Sequence, residues 1–237
     1  MGYPVSNIST CQTLPQHILN VHSQTWLSLN IPLSPRERFL VMSGARESTE
    51  HHLYSNKKPF HFYQKYYQGN LDYYEWAEFA LSTIKDKDIS TVKKLLDIFL
   101  AEIIEPMINI YALKIIHDHH HKDDVLLLAS ATNNVIVEPI GKRLGFSNIV
   151  ATEVEIINDV YTGKINGIPA LGEGKLLKVK EWMKKNNFLD FNNVTFYTDS
   201  INDLPLLKVV QNPIAVNPDT KLKQICIEKN WKIKDLP

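Results

Sequence analysis

Two aspartates, Asp199 and Asp203, lie in Tyr197-Thr198-Asp199-Ser200-Ile201-Asn202-Asp203-Leu204-Pro205-Leu206-Leu207, where a strand pattern gives way to a helical one. Carboxylates gathered at a strand tip suit Mg²⁺, a hard ion that takes oxygen ligands. A capping aspartate ahead of a helix with Pro205 near its start accounts for one acid. It leaves Asp199, Asn202 and Asp203 together without a purely structural reason. A second stretch, Ser130-Ala131-Thr132-Asn133-Asn134, follows the apolar run Val125-Leu126-Leu127-Leu128-Ala129. A hydroxyl there, beside a helix N-terminus, can hold a phosphate oxygen; its plainer role is an N-cap by Ser130 or Thr132. The third group is Lys175, in Gly172-Glu173-Gly174-Lys175, entering a helix. Its ammonium could neutralise a phosphoryl group, against the ordinary fate of a lysine as a solvated surface residue.

From about residue 124 the pattern alternates strands and helices. Val125–Ala129 is continuously apolar, as expected of a strand buried on both faces. A helix carrying Val135, Pro139, Ile140 and Leu144 closes at Gly145. Ile149-Val150-Ala151 reads as a second strand, and 153–169 as a hairpin turning at Tyr161-Thr162-Gly163-Lys164. Residues 174–187 read as an amphipathic helix, then Val194–Tyr197 and Pro213–Val216 as further strands. This alternation predicts a parallel, doubly wound α/β sheet. Ligands of such sheets bind at the carboxyl ends of the strands, where all three groups fall. Ahead of this region, residues 57–121 carry helical stripes: Tyr73, Trp76, Ala77 and Ala80; Leu95, Leu96, Phe99 and Ile103; Ile110, Leu113 and Ile116. Pro106 should end or kink the second of these helices, the one carrying Leu95–Ile103. Residues 1–50 carry no sustained stripe.

Asp-Ser-x-Asn-Asp-Leu-Pro-Leu-Leu at 199–207 resembles the fourth motif of the haloacid dehalogenase superfamily, and more narrowly its phosphoserine-phosphatase-like branch with a helical cap. Ser130 matches the second motif and Lys175 the third, in order and spacing. The similarity runs from about Phe62 through Trp231. The resemblance implies a Rossmann-like, three-layer α/β/α core with a mainly parallel sheet and a helical cap. The chain then divides into an irregular segment, 1–50, a helical cap, 51–121, and a core, 122–237. The resemblance also implies Mg²⁺-dependent hydrolysis of a small phosphorylated substrate through an aspartyl-phosphate. By carry-over, Asp199 would ligate Mg²⁺, with Asn202, Asp203 and Asn133 in support. Ser130, Ala131 and Thr132 would bind phosphate and Lys175 would balance its charge; Lys175 and Asp203 would serve catalysis.

The family's first motif, Asp-x-Asp-x-Thr or Ser, ends the first strand and supplies the nucleophile. Here the first aspartate of the chain is Asp72. Without a carboxylate nucleophile there is no covalent intermediate, and the metal loses part of its ligand set. Asp86-Lys87-Asp88-Ile89-Ser90 matches letter by letter but follows no apolar strand. The family's first strand runs inside the sheet, between those carrying the second and fourth motifs. Either residues 25–31 or 39–42 fill that slot without the aspartates or the chain is unstable, since an empty slot would leave backbone groups unpaired. Counting back from Phe62 puts the missing motif near Thr25–Leu29. Codons for Arg36-Glu37-Arg38-Phe39-Leu40, read one nucleotide later, can spell Glu-Ser-Asp-Ser-Trp, a stretch that resembles family members and suggests a disrupted reading frame over residues 1 to about 45. The expected function is a phosphatase of small phosphorylated metabolites whose activity the missing motif puts in question. The rival is a non-catalytic remnant that binds phosphate or Mg²⁺.

Bulk properties exclude other classes. Lys+Arg and Asp+Glu are both 26, so no global field draws the chain to nucleic acid or an anionic membrane. No apolar run approaches the roughly 18 residues of a membrane span, and no charged-then-apolar leader pattern opens the chain. Cys11 and Cys226 form no metal or redox motif, which fits a cytoplasmic setting. His117, His119, His120 and His121, with Asp118 and Asp123, suggest either a transition-metal site or a solvated helix end. The second is favoured, because histidines complement a helix dipole and no fixed ligand spacing is evident. Lys178, Lys180, Lys184 and Lys185 read as a solvated helix face.

Overall fold

A computed structural model describes residues 16–19, 62, 65 and 72–237. Six parallel strands form one sheet in the order β3-β2-β1-β6-β7-β8. They are β1 (Gln16–Leu19), β2 (Val125–Asn133), β3 (Asn148–Thr152), β6 (Val194–Thr198), β7 (Asn212–Val216) and β8 (Lys232–Lys234). An antiparallel hairpin, β4 (Val154–Ile157) and β5 (Val160–Ile165), stands apart from it.

Strand β2 shows why its run is apolar throughout. Successive side chains of a strand point to opposite faces. Leu127 and Ala129 join Val194, Phe196 and Ala215 on one face, under helices α5 (Glu173–Lys185), α6 (Leu204–Leu207) and α7 (Thr220–Lys229). Leu126 and Leu128 face the other way, against Ile116 of α3 (Ile110–His120) and Val137 and Ile140 of α4 (Asn134–Arg143). Two helical layers around a parallel sheet make the expected three-layer α/β architecture. Leu100 and Ile104 join this second cluster, so among the described residues the layer covering that face begins there in sequence. Their backbone widens into a π turn, Leu100–Ile104, and Pro106 then closes the segment in a 3-10 turn, as its missing N–H requires.

Two expectations change and one strand is added. The slot between β2 and β6 is filled by Gln16–Leu19; residues 25–31 and 39–42, expected there, lie outside the described residues, as do 36–40. Any short segment with free N–H and C=O groups can complete a parallel ladder, so apolar texture alone could not choose among them. The hairpin turns at Asn158-Asp159, not at Tyr161–Lys164: both residues have positive φ (52° and 62°), as a tight two-residue turn demands. Strand β8 adds a sixth, parallel edge with too little apolar pattern to be recognised.

Helices α1 (Tyr73–Leu81) and α2 (Ile89–Phe99) pack on the hairpin through Leu81, Val92, Val154 and Tyr161. Asp72 and Asp88 cap them. No helix among the described residues is long and apolar enough to cross a membrane.

Candidate active site

The carboxyl end of β6 runs straight into buried polar residues: Thr198, Asp199, Ser200 and Asp203. Buried polar groups are costly unless bonded, and several of this loop's polar atoms are bonded. Thr198 Oγ1 donates to Asp203 Oδ2 (2.6 Å) and accepts from the Ser200 amide (3.1 Å). The Asn202 amide donates to Ser200 Oγ (3.2 Å). Asp219, after β7, clamps the loop from outside. Its Oδ2 accepts from the Ile201 amide and its Oδ1 from the Leu222 amide, each at 2.8 Å, and its own amide donates to the Asp199 carbonyl at 2.9 Å.

Lys175 is not solvated. Its side chain is completely buried, and Nζ lies 2.5 Å from Asp203 Oδ1, also completely buried. Asp203 therefore grips Thr198 with one oxygen and Lys175 with the other, joining helix α5 to the end of β6. The chain reaches this position through two glycines. Gly172 has φ +56°, and a Cβ on Gly174 would stand 2.1 Å from the Pro169 carbonyl oxygen. That approach is closed to any other residue.

Ser130 sits in a bulge. Ala129 pairs with Val150 and Asn133 with Thr152, so three residues, 130–132, oppose Ala151 alone. Bulges re-aim side chains beside functional sites. Ser130 is buried, and its Oγ accepts from the Thr132 amide (3.2 Å). Neither Ser130 nor Thr132 caps α4; Asn133 does, its Oδ1 accepting from the Ile136 amide (3.2 Å). The plainer role considered for the two hydroxyls thus belongs to Asn133. The Ala131 carbonyl accepts from Tyr73 Oη (2.6 Å) and Thr152 Oγ1 (2.9 Å), and the Ala170 amide donates to Thr152 Oγ1 (3.0 Å). This chain of bonds ties the Ser130 bulge to the loop that leads to Lys175.

The fold thus sets Ser130, Lys175, Asp199 and Asp203 along the carboxyl edge of the sheet. Sequence reasoning missed Tyr73, Thr152 and Asp219 as members of the network. Thr152 carries the same signal as Ser130 and Thr198, a hydroxyl where an apolar parallel strand ends. Tyr73 carried none beyond its place in an aromatic stripe.

The donor chemistry bears on Mg²⁺. Asp199 places a buried carboxylate at the strand tip, and Asp203 is held by Lys175 and Thr198. Mg²⁺ commonly takes one or two carboxylates and completes its shell with water and substrate phosphate. The residues fit a site of that kind, with Asp199 as its carboxylate. Among the described residues no group of three or more His, Cys, Asp or Glu could hold a metal.

The two decoys resolve differently. Asp88 accepts from Ser90 Oγ (2.6 Å) and, as N-cap of α2, from the Thr91 amide (2.8 Å) and Thr91 Oγ1 (2.7 Å). These bonds, that from Ser90 foremost, hold its carboxyl well below the usual carboxylate range. Its backbone bridges Val160 of the hairpin. The histidine-rich helix end is only partly solvated. His117 and His121 are exposed, their Nε2 atoms 3.0 Å apart. His119 is buried between Asp124 Oδ2 (2.8 Å from Nδ1) and Tyr197 Oη (2.9 Å from Nε2). Burial pushes the Tyr197 hydroxyl up from its ordinary value.

A parallel sheet whose second and fourth motif strands flank β1, with a buried lysine on the following helix, defines a haloacid dehalogenase-like core. The haloacid dehalogenase-like hydrolase family matches residues 37–208, and the chain belongs to it. It is 32% identical over 199 residues to a histidinol-phosphatase of Neisseria meningitidis serogroup C, covering 83% of this chain and 88% of that one. It is 28% identical over 156 residues to a phosphoserine phosphatase of Mycobacterium tuberculosis, covering 66% of this chain but 50% of the relative. A crystal structure of a Bordetella pertussis protein of unknown function superposes with a TM-score of 0.78 at 25% identity, covering 93% of this chain and 97% of that one.

Proposed function

We propose that this protein is a phosphatase of small phosphorylated metabolites. Its phosphoryl pocket is formed by the Ser130–Ala131–Thr132 bulge and Lys175. The observation that carries this reading is Lys175, fully buried at the ligand-binding edge and held by Asp203. Burying an ammonium is costly unless anions compensate, and a substrate phosphate beside Asp203 supplies a second anion. Ser130 donates to a phosphoryl oxygen, and Asp203 with Thr198 keeps the lysine aimed. Asp199 would hold Mg²⁺, with Asn202 and Asp203 in support; bound there, the ion supplies charge stabilisation at a phosphoryl oxygen. Asn133 supports the site as the cap that ends the bulge.

Within this class histidinol phosphate comes first, on the similarity to the Neisseria enzyme. The substrate-selecting cap is assigned, within the 51–121 division, to α1 and α2 together with the hairpin. The 51–121 division is shortened at its C-terminal end because α3 packs on the sheet. The cytoplasmic setting expected from the sparse cysteines goes with this reading.

A second reading is favoured by one fact: residues 1–36 contain no Asp or Glu. The segment around β1 then brings no carboxylate nucleophile, and the chain binds phosphate without turning it over. The two separate by phosphate release from para-nitrophenyl phosphate and histidinol phosphate with Mg²⁺, beside an Asp199→Ala control. Turnover that the control abolishes supports the phosphatase. No turnover, with thermal stabilisation by phosphate retained, supports the binder. Neither turnover nor stabilisation would sink both.

A further inference from the structure

We infer that Tyr73 and Thr152 are positioning residues, which hold the Ser130 hydroxyl in the orientation that donates to a bound phosphate. This rests on the phosphate-binding role proposed above for Ser130. Neither residue belongs to a motif of the site; both act through the Ala131 carbonyl. Tyr73 Oη lies 2.6 Å from that oxygen, Thr152 Oγ1 lies 2.9 Å from it, and the two hydroxyls are 3.0 Å apart. Two hydroxyl hydrogens serve three contacts, so Ala131 O receives at least one under any arrangement. The Ala170 amide donates to Thr152 Oγ1 and fixes that side chain from the other direction.

The consequence follows from peptide geometry. A trans peptide is planar, with its C=O and N–H pointing opposite ways. Anchoring the Ala131 carbonyl toward Tyr73 and Thr152 turns the N–H of the same peptide, that of Thr132, the other way, where it meets Ser130 Oγ at 3.2 Å. A hydroxyl that accepts through its oxygen keeps its one hydrogen for another partner. In a site built for an anion, that hydrogen is what Ser130 must offer. The regular register with β3 is interrupted at 130–132, so side chains help to set its peptide planes. Burial pushes the Tyr73 hydroxyl up to about 12, so it stays a donor through the neutral range. Tyr73 begins helix α1, just after the Asp72 cap, so the placement of α1 against the core is read directly by the phosphate loop.

The test is inorganic phosphate binding, followed by ³¹P NMR line broadening and calorimetry on the full chain with Mg²⁺. Tyr73→Phe and Thr152→Val are each expected to weaken binding about five- to tenfold, the size of one lost hydrogen bond. Thr152→Ser, which keeps the hydroxyl, should retain near-parental affinity. In a Ser130→Ala background, Tyr73→Phe should have no further effect, because both changes act on one hydroxyl; general loosening of the fold would leave its effect intact. Parental affinity in Tyr73→Phe, or an undiminished Tyr73→Phe effect in the Ser130→Ala background, overturns the inference and leaves the phosphate site standing. No phosphate binding by the parent overturns both.

Discussion

Strands β1 and β6 are neighbours in the sheet and supply opposite things. In β6 the ladder ends in Thr198-Asp199-Ser200, whose polar atoms are buried and bound to Asp203 and Asp219. In β1 the described residues reach Leu19, opposite Tyr197, and the sequence continues Asn20-Val21-His22 with no acidic residue before Glu37. A parallel ladder needs only backbone N–H and C=O groups, so a segment can complete the sheet without bringing chemistry. A ligand-binding edge needs particular side chains. The molecule therefore separates two requirements that the family's first strand ordinarily meets together: closing the sheet, and delivering a carboxylate.

The comparison breaks most visibly at the β6 side. Lys175→Met leaves Asp203 buried without its cation and should cost roughly 3–5 kcal/mol of stability, measured by urea denaturation. Lys175→Met combined with Asp203→Leu should recover part of that loss, because the apolar pair carries no ionic desolvation penalty while the buried Thr198 hydroxyl loses its acceptor. Both variants should lose phosphate binding. A Lys175→Met chain as stable as its parent would mean that the pair is solvated in solution, and the argument from buried charge would fall with it.

On the β1 side the test is of the backbone ladder, and the effect should be smaller. Ile18→Pro removes one N–H from a strand hydrogen-bonded on both sides and leaves a buried carbonyl short of its donor. About 1–3 kcal/mol should be lost. Hydrogen exchange should show the amides of β2 and β6 that face β1 opening first. If stability and exchange do not change, another segment fills the slot, and residues 25–31 or 39–42 return as candidates.

The two sides also differ in how far the sequence reveals them. The β2 and β6 edges are legible because parallel strands buried on both faces write unbroken apolar runs, and the polar residues that end those runs mark the carboxyl edge. Ser130, Lys175, Asp199 and Asp203 stand out for that reason. The bulge at 130–132 was not legible. It depends on register between β2 and β3, and register is a property of two segments at once. Tyr73 was invisible for the same reason: its partners, Ala131 and Thr152, are 58 and 79 residues away in sequence. The hairpin turn was misplaced because Gly163 advertised a turn, while Asn158 and Asp159 adopt positive φ without glycine. The β1 slot was the least legible, since four residues of backbone pairing leave no compositional trace.

The smallest effect tests whether a letter match can stand for a site. Asp88 satisfies the missing first motif on paper, in Asp86-Lys87-Asp88-Ile89-Ser90, yet its carboxylate caps α2 through Ser90 and Thr91. Those bonds lower its folded pKa below the ordinary value of 3.8. A depressed carboxylate pKa adds stability above the unfolded value, and that contribution disappears as pH falls through the folded one. Asp88→Ala should therefore lower the melting temperature slightly at neutral pH, and its stability should fall less steeply than the parent's as pH drops below about 4. Phosphate affinity and any turnover should match the parent, because the cap lies against the hairpin and not at the sheet edge. Turnover that vanishes in Asp88→Ala while the melting curve stays put would reverse the assignment. A carboxylate outside the sheet would then be doing the work that the strand beside β6 does not.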